Sequence, residues 1–226
     1  MEKKKYNIID DGFHPELVER AFFDGFLEIP TIKAPKEIII PKSLTPFTKR
    51  NYADTTDTAI CEYEHDFRFT ELVYKPEQLF EDLSRFSAFI SPDCSLYLDM
   101  PLCLQIANVY FNRAVGSYYQ SRGMYVIPNI RWGDERTFTT CELPEKVAFL
   151  GAPKQSIVSI GTYGCIKTAD DKYYLKAGLE AMLQELEPVV VLVYGNMPDS
   201  IFQDYANCTK FVQYDDWTTR KRNGGI

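Results

Sequence analysis

Between Pro188 and Gly195 the chain runs Val189-Val-Val-Leu-Val-Tyr194, six apolar residues without a polar break. A strand with one wet face alternates apolar and polar residues. An unbroken β-branched run needs cover on both faces, which parallel sheets in α/β folds provide. The segment before it reads as the covering helix. Thr168 with Asp171 three residues on forms a capping box, and Leu175, Leu179, Met182 and Leu186 then share one face. Lys176, Glu180, Gln184 and Glu187 occupy the other, so the helix is amphipathic.

The same alternation extends in both directions. Ala59-Ile-Cys-Glu-Tyr63, Ala88-Phe-Ile90, Tyr125-Val-Ile127, Ser156-Ile-Val-Ser-Ile160 and Lys210-Phe-Val-Gln-Tyr214 read as further strands. A short helix opened by Pro76 and a long one starting near Asp99 and Pro101, closed by Gly123, lie between them. Strand and helix alternating about six times imply an α/β fold. The expectation is a mostly parallel sheet of about six strands with flanking helices, open or curled into a partial barrel. Residues 1–57 are broken by Pro15, Pro30, Pro35, Pro41 and Pro46 and read as an irregular wrapping extension, with a short helix over Glu16–Phe23 and a short strand over Glu37–Ile40. The core domain is expected over 58–218. A basic tail at 219–226, with Arg220-Lys-Arg222, is expected to be disordered.

Charge narrows the function classes. With a net charge of −7, the 226-residue chain lacks the dense Lys/Arg surface that extensive nucleic-acid binding needs. Two histidines, His14 and His65, argue against a zinc enzyme built on imidazole. The six cysteines (Cys61, Cys94, Cys103, Cys141, Cys165 and Cys208) have irregular gaps and no zinc-knuckle pair, so free thiols in a reducing cytoplasm are expected. No leader-type apolar segment follows the charged start, and no run approaches a membrane span. Gly161-Thr-Tyr-Gly164 and Tyr194-Gly-Asn196 match no phosphate loop, and no motif names a cofactor.

In parallel α/β folds ligands gather at the carboxyl ends of the strands. Those ends bring Asp66, Asp93, Asn129, Thr162, Tyr194, Gly195 and Asp215, and one loop adds Arg131, Trp132, Asp134 and Glu135. The functional reading makes the carboxylates, Asp66, Asp93 and Asp134 foremost, general acids or bases or ligands of a hard metal ion. Asp99, Asn129, Arg131, Trp132, Glu135, Thr162 and Tyr194 would then bind the ligand, Arg131 an anionic group and Trp132 by stacking. The structural reading has Asp93 and Asp99 capping turns while Arg131 neutralises its neighbours. A His65–Cys94 nucleophile pair is the lesser chemistry. Gln105 and the other amides of the long helix read as hydrogen-bonders of loop carbonyls.

Three blocks carry a resemblance: Ser91-Pro-Asp93 with Leu96-Tyr97 and Asp99-Met-Pro101; Val126-Ile-Pro-Asn129 with Trp132-Gly-Asp-Glu-Arg136; and Ser159-Ile-Gly-Thr162 with Gly164-Cys165. Over roughly Phe13 to Trp217 the chain resembles the domain-of-unknown-function family 4417 of phages and conjugative elements in Gram-positive bacteria. That resemblance implies a phage or mobile-element origin and action in the cytoplasm of a bacterial host, and it carries no catalytic assignment. Cys94 stands where the family pattern looks aromatic, which weakens it as a nucleophile. Two readings follow: an enzyme or binder of a nucleotide, sugar or similar polar metabolite, or an accessory protein that binds a host protein such as a defence nuclease.

Overall fold

A computed structural model describes residues 12–53 and 57–223. Helix α1 (Pro15–Val18) precedes an antiparallel hairpin, β1 (Phe23–Asp24) and β2 (Ile29–Pro30). Then come β3 (Ser43–Pro46), β4 (Thr58–Cys61), α2 (Glu71–Tyr74), α3 (Pro76–Leu83) and β5 (Ala88–Ile90). Helix α4 (Leu102–Ser121) leads to β6 (Val126–Ile127) through Gly123, whose φ of 95° suits a residue without Cβ. Next are α5 (Glu135–Phe138), β7 (Ile157–Gly161), α6 (Ala169–Leu186) and β8 (Val190–Tyr194). The chain closes with α7 (Asp199–Phe202), β9 (Lys210–Tyr214) and α8 (Trp217–Arg222). The capping box of Thr168 and Asp171 starts α6 as its spacing predicts.

Seven strands run parallel, but in two sheets and not one of six: β3-β4-β5-β6 and β7-β8-β9. Each strand lies beside its neighbour in sequence and the order never reverses. With right-handed crossovers, helices then pack on one side of the strands, leaving the other side to a common interior. The burial pattern agrees. Leu44, Ala59, Cys61, Ala88, Ile90, Ile127, Ile157, Val190 and Leu192 form one apolar cluster fed by both sheets, with Val212 of β9 packed against it. The alternate residues Ile60, Phe89 and Val126 face α3 and α4, while Val158, Ile160, Val191 and Val193 face α6. The arrangement is a pair of parallel sheets that share this apolar cluster. Its two sheets meet at one parallel bridge, Asn129 to Ser159, with Ile130 N donating to Ser159 O at 2.8 Å and Ser159 N to Pro128 O at 2.9 Å.

Three expectations change. The sheet begins within the presumed extension, at β3, while 37–40 forms no strand. Pro46 is tolerated because it ends an edge strand, whereas Ile38 and Ile40 pack against the interior as irregular chain. The first helix stops at Val18, short of Phe23. Residues 219–222 are helical: Asp216 caps α8, and Arg220 donates to Leu44 O at 3.1 Å across the gap between β9 and β3. Residues 1–11 and 224–226 of the extension and tail fall outside the described chain.

Arg113 of α4 is 1% exposed and pairs with no carboxylate among the described residues. Its guanidinium donates instead to carbonyls: Leu150 at 2.9 Å, Asn129 at 2.7 Å and Ala148 at 3.1 Å. Burial lowers its pKa to about 10, which still leaves it charged at neutral pH. It clamps α4, the 148–150 turn and the seam between the sheets. Arg113→Met strands those carbonyls, so thermal unfolding should show a loss of about 3 kcal/mol, a fall of roughly 6–12 °C. A variant melting within 2 °C of the parent on that scale would remove the clamp from the account.

Candidate functional site

All seven parallel strands deliver residues to one cleft of about 590 Å³ at their carboxyl ends. Lys49 follows β3, Tyr63 follows β4, Asp93 follows β5, Arg131 and Trp132 follow β6, Lys167 follows β7, Tyr194 ends β8 and Trp217 follows β9. Tyr63 and Tyr194 stack at 4.8 Å between centroids, tilted by 13°. Gly161 makes room for that pair, since a Cβ there would stand 2.6 Å from the Tyr63 ring. The Tyr63 hydroxyl lies 2.6 Å from Ser159 Oγ and donates to Asn129 Oδ1 at 3.1 Å. Asn129 Nδ2 in turn donates to Asp93 Oδ1 at 2.8 Å, and Arg131 Nη1 to Asp93 Oδ2 at 3.3 Å. One hydrogen-bonded chain thus runs from β7 to the β6 loop and ends on a carboxylate that lines the cleft.

The structure separates the residues singled out by strand-end position. Asp93, Arg131, Trp132 and Tyr194 line the cleft, and Asn129 is buried beneath it. Asp66 lies outside the lining and holds the β5 loop, accepting from Ser95 N at 3.0 Å and Ser95 Oγ at 2.7 Å. Asp134 also lies outside. It caps α5 and takes Arg136 Nη2 at 2.6 Å and Nε at 2.8 Å. Burial opposes ionisation of Asp134, but its bonds from Arg136 and Gln105 outweigh that and hold its carboxyl below the usual range. Glu135 and Asp99 are exposed away from the cleft. Thr162 is buried and donates to Asn196 O at 2.7 Å, tying the ends of β7 and β8. Cys94 is buried outside the cleft, its thiol pushed well up by burial and by nearby carboxylates.

A model of the family described as Domain of unknown function (DUF4417) matches residues 21–215. The chain belongs to that family. Among curated proteins it is similar to the Gene 1 protein of Mycobacterium phage D29, with 29% identity over 198 residues, 86% of this chain and 69% of the relative. It is also similar to the Gene 1 protein of Mycobacterium phage L5, with 30% identity over 173 residues, 76% of this chain and 72% of the relative. No solved structure matches.

In this DUF4417 protein no group of three or more His, Cys, Asp or Glu converges as a metal-ligand set among the described residues. No described helix is long and apolar enough to cross a membrane. Burial raises the Asp93 carboxyl above its ordinary pKa, against the pull of Arg131 and Asn129 and with help from Asp66. Its side chain is 13% exposed, enough to meet a ligand. Strand-end reasoning passed over Tyr63, although period-two alternation places it on the inner face with Ala59 and Cys61.

Alternation puts Glu62 on the outer face of β4, fully buried, with neither carboxylate oxygen hydrogen-bonded. Burial, then Glu64 and Asp93, push its pKa well above 4.5. A carboxyl raised on folding contributes stability that is complete below its unfolded pKa and fades as pH climbs through the folded one. Glu62→Gln should therefore gain on the parent as pH rises from 4 to 8 in urea unfolding. A constant difference across that range would show Glu62 ionising normally.

Proposed function

We propose that the cleft is a binding and reaction site for a small polar metabolite of the nucleotide or sugar class, in a phage or mobile-element accessory protein. Asp93 is its proton-transfer group. The observation that supports this best is the convergence of Asp93, Asn129, Arg131 and Tyr63 where every parallel strand ends. A carboxyl whose pKa is raised by burial while it touches a cleft suits general acid–base work near neutral pH. Asn129 fixes its orientation from below, and Arg131 stabilises the charge when the proton leaves. Tyr63 and Tyr194 supply a flat floor, and Trp132 a wall.

A second reading has its own support. Phe22, Phe23 and Phe26, on and beside the β1–β2 hairpin, are 63%, 51% and 56% exposed. Such a patch suits a protein partner in the host.

Asp93→Asn keeps the shape and removes the titrating group. A thermal-shift panel of nucleotides and monosaccharides should raise the melting temperature of the parent, because the ligand binds only the folded state. The variant should lose most of that rise and any turnover, its unliganded melting temperature moving by less than about 5 °C. Equal ligand response in parent and variant would refute the role of Asp93. A stoichiometric host protein captured with no ligand response, and released by Phe23→Ser, would favour the second reading.

A further inference from the structure

The cleft contains four carboxylates and four Lys/Arg side chains, and they are not equally available. Glu64 accepts from Thr48 N at 3.0 Å and Thr48 Oγ1 at 2.5 Å, with Arg68 3.7 Å away. Asp93 accepts from Asn129 and Arg131. Asp171 caps α6 and accepts from Thr168 N at 2.9 Å. Asp216 caps α8, taking Thr218 N at 2.9 Å, Thr219 N at 3.1 Å and Thr219 Oγ1 at 2.7 Å. Every acid in the lining is thus engaged by the protein. Arg131 and Arg68 are spoken for as well, whereas Lys49 and Lys167 form no ion pair among the described residues. The Lys167 backbone N–H also bonds Asp171, and its ammonium adds only a coulombic pull on that carboxylate, short of an ion pair. The uncommitted charge of the cleft is positive, although the chain as a whole carries −7.

Its apolar lining is aromatic and partly open. Tyr97 is 59% exposed and Tyr163 66% exposed at the mouth. Trp132 donates its indole N–H to Tyr174 O at 3.0 Å, so what it offers a ligand is ring surface and not a donor. Each sugar hydroxyl donates one hydrogen bond and is well held by a free carboxylate, and the carboxylates here are engaged. A ligand with a flat ring and an anionic group uses what remains: stacking surface and two unpaired ammonium groups. A volume of about 590 Å³ suits a mononucleotide.

Resting on the cleft reading above, we infer that the ligand is a nucleoside phosphate. Lys49 and Lys167 neutralise its phosphate, and Tyr97, Tyr163 and Trp132 receive its base. The four common ribonucleoside 5′-monophosphates, their parent nucleosides, glucose and ribose form the test set, titrated calorimetrically at low salt and again with added 0.3 M salt, about where the Debye length is half that at 0.1 M. At least one monophosphate should bind, roughly tenfold or more tighter than its nucleoside, which corresponds to about 1.4 kcal/mol, and salt should weaken it. The K49A/K167A double variant should lose that advantage while keeping nucleoside affinity and melting temperature. Equal binding of nucleotide and nucleoside, or full nucleotide affinity in the double variant, overturns the inference. A sugar bound in an Asp93-dependent way, with no nucleotide bound, overturns it too but preserves the cleft as the site. No binding by any probe overturns both.

Discussion

Among the described residues the two sheets share one bridged pair, Asn129 and Ser159, and the architecture hangs on that junction. Backbone bonds between Ile130, Ser159 and Pro128 make it continuous with both ladders. From the helical side Asn112 Nδ2 reaches Asn129 O at 3.1 Å, and Arg113 reaches the same oxygen at 2.7 Å. Ser91 Oγ accepts from Asn129 N at 2.8 Å. A seam of so few main-chain bonds is closed by side chains, and charge-assisted bonds are the strong ones. The inward side chains of the same pair, Asn129 and Ser159, receive Tyr63 and position Asp93. What joins the halves of the fold is therefore also what aims the cleft carboxylate. Loosening the seam should degrade both together.

Elements were legible in the sequence wherever local rules and packing agree. The β-branched run of β8, the capping box of α6 and the Gly123 stop of α4 each state a local preference that tertiary contacts reinforce. Strand β3 was hidden because four residues ending in proline look like loop; only pairing with β4 makes them strand. The tail helix was hidden because three basic residues look solvated, and Arg220 gains its place from Leu44 O, 176 positions away. Division into two sheets depends on the single contact at Asn129, which no periodicity records.

The candidate site was half legible for a related reason. Strand-end position correctly points at the carboxyl edge, yet a carboxylate there can face the cleft or turn back onto the protein. Asp66 and Asp134 turn back: each finds several donors within its own or the next loop. Which way a side chain turns follows from neighbours distant in sequence as well as local ones, such as Gln105 for Asp134 or Ser95 for Asp66. Charge composition is silent about the cleft for the same reason. An overall excess of acid hides a cleft whose acids are all engaged and whose free charges are ammonium groups.

Comparing how the carboxyl groups are treated separates architecture from activity. Asp134 is buried with more donors than it needs, and its ionised form is favoured by folding. Glu62 and Asp93 are handled the other way: burial disfavours their charged forms, and Glu62 lacks any hydrogen bond at all. Burying a polar group without partners costs on the order of 1–3 kcal/mol, and apolar residues of similar volume fill such positions without that cost. The Glu62 side chain therefore adds nothing to stability by its position. Asp93 differs: Asn129 and Arg131 bond it, and its side chain reaches the cleft. Glu62 precedes Tyr63 and adds to the rise in that hydroxyl's pKa, after burial, Asp93 and Cys61. Both raised carboxyls follow strands of the first sheet, Glu62 after β4 and Asp93 after β5.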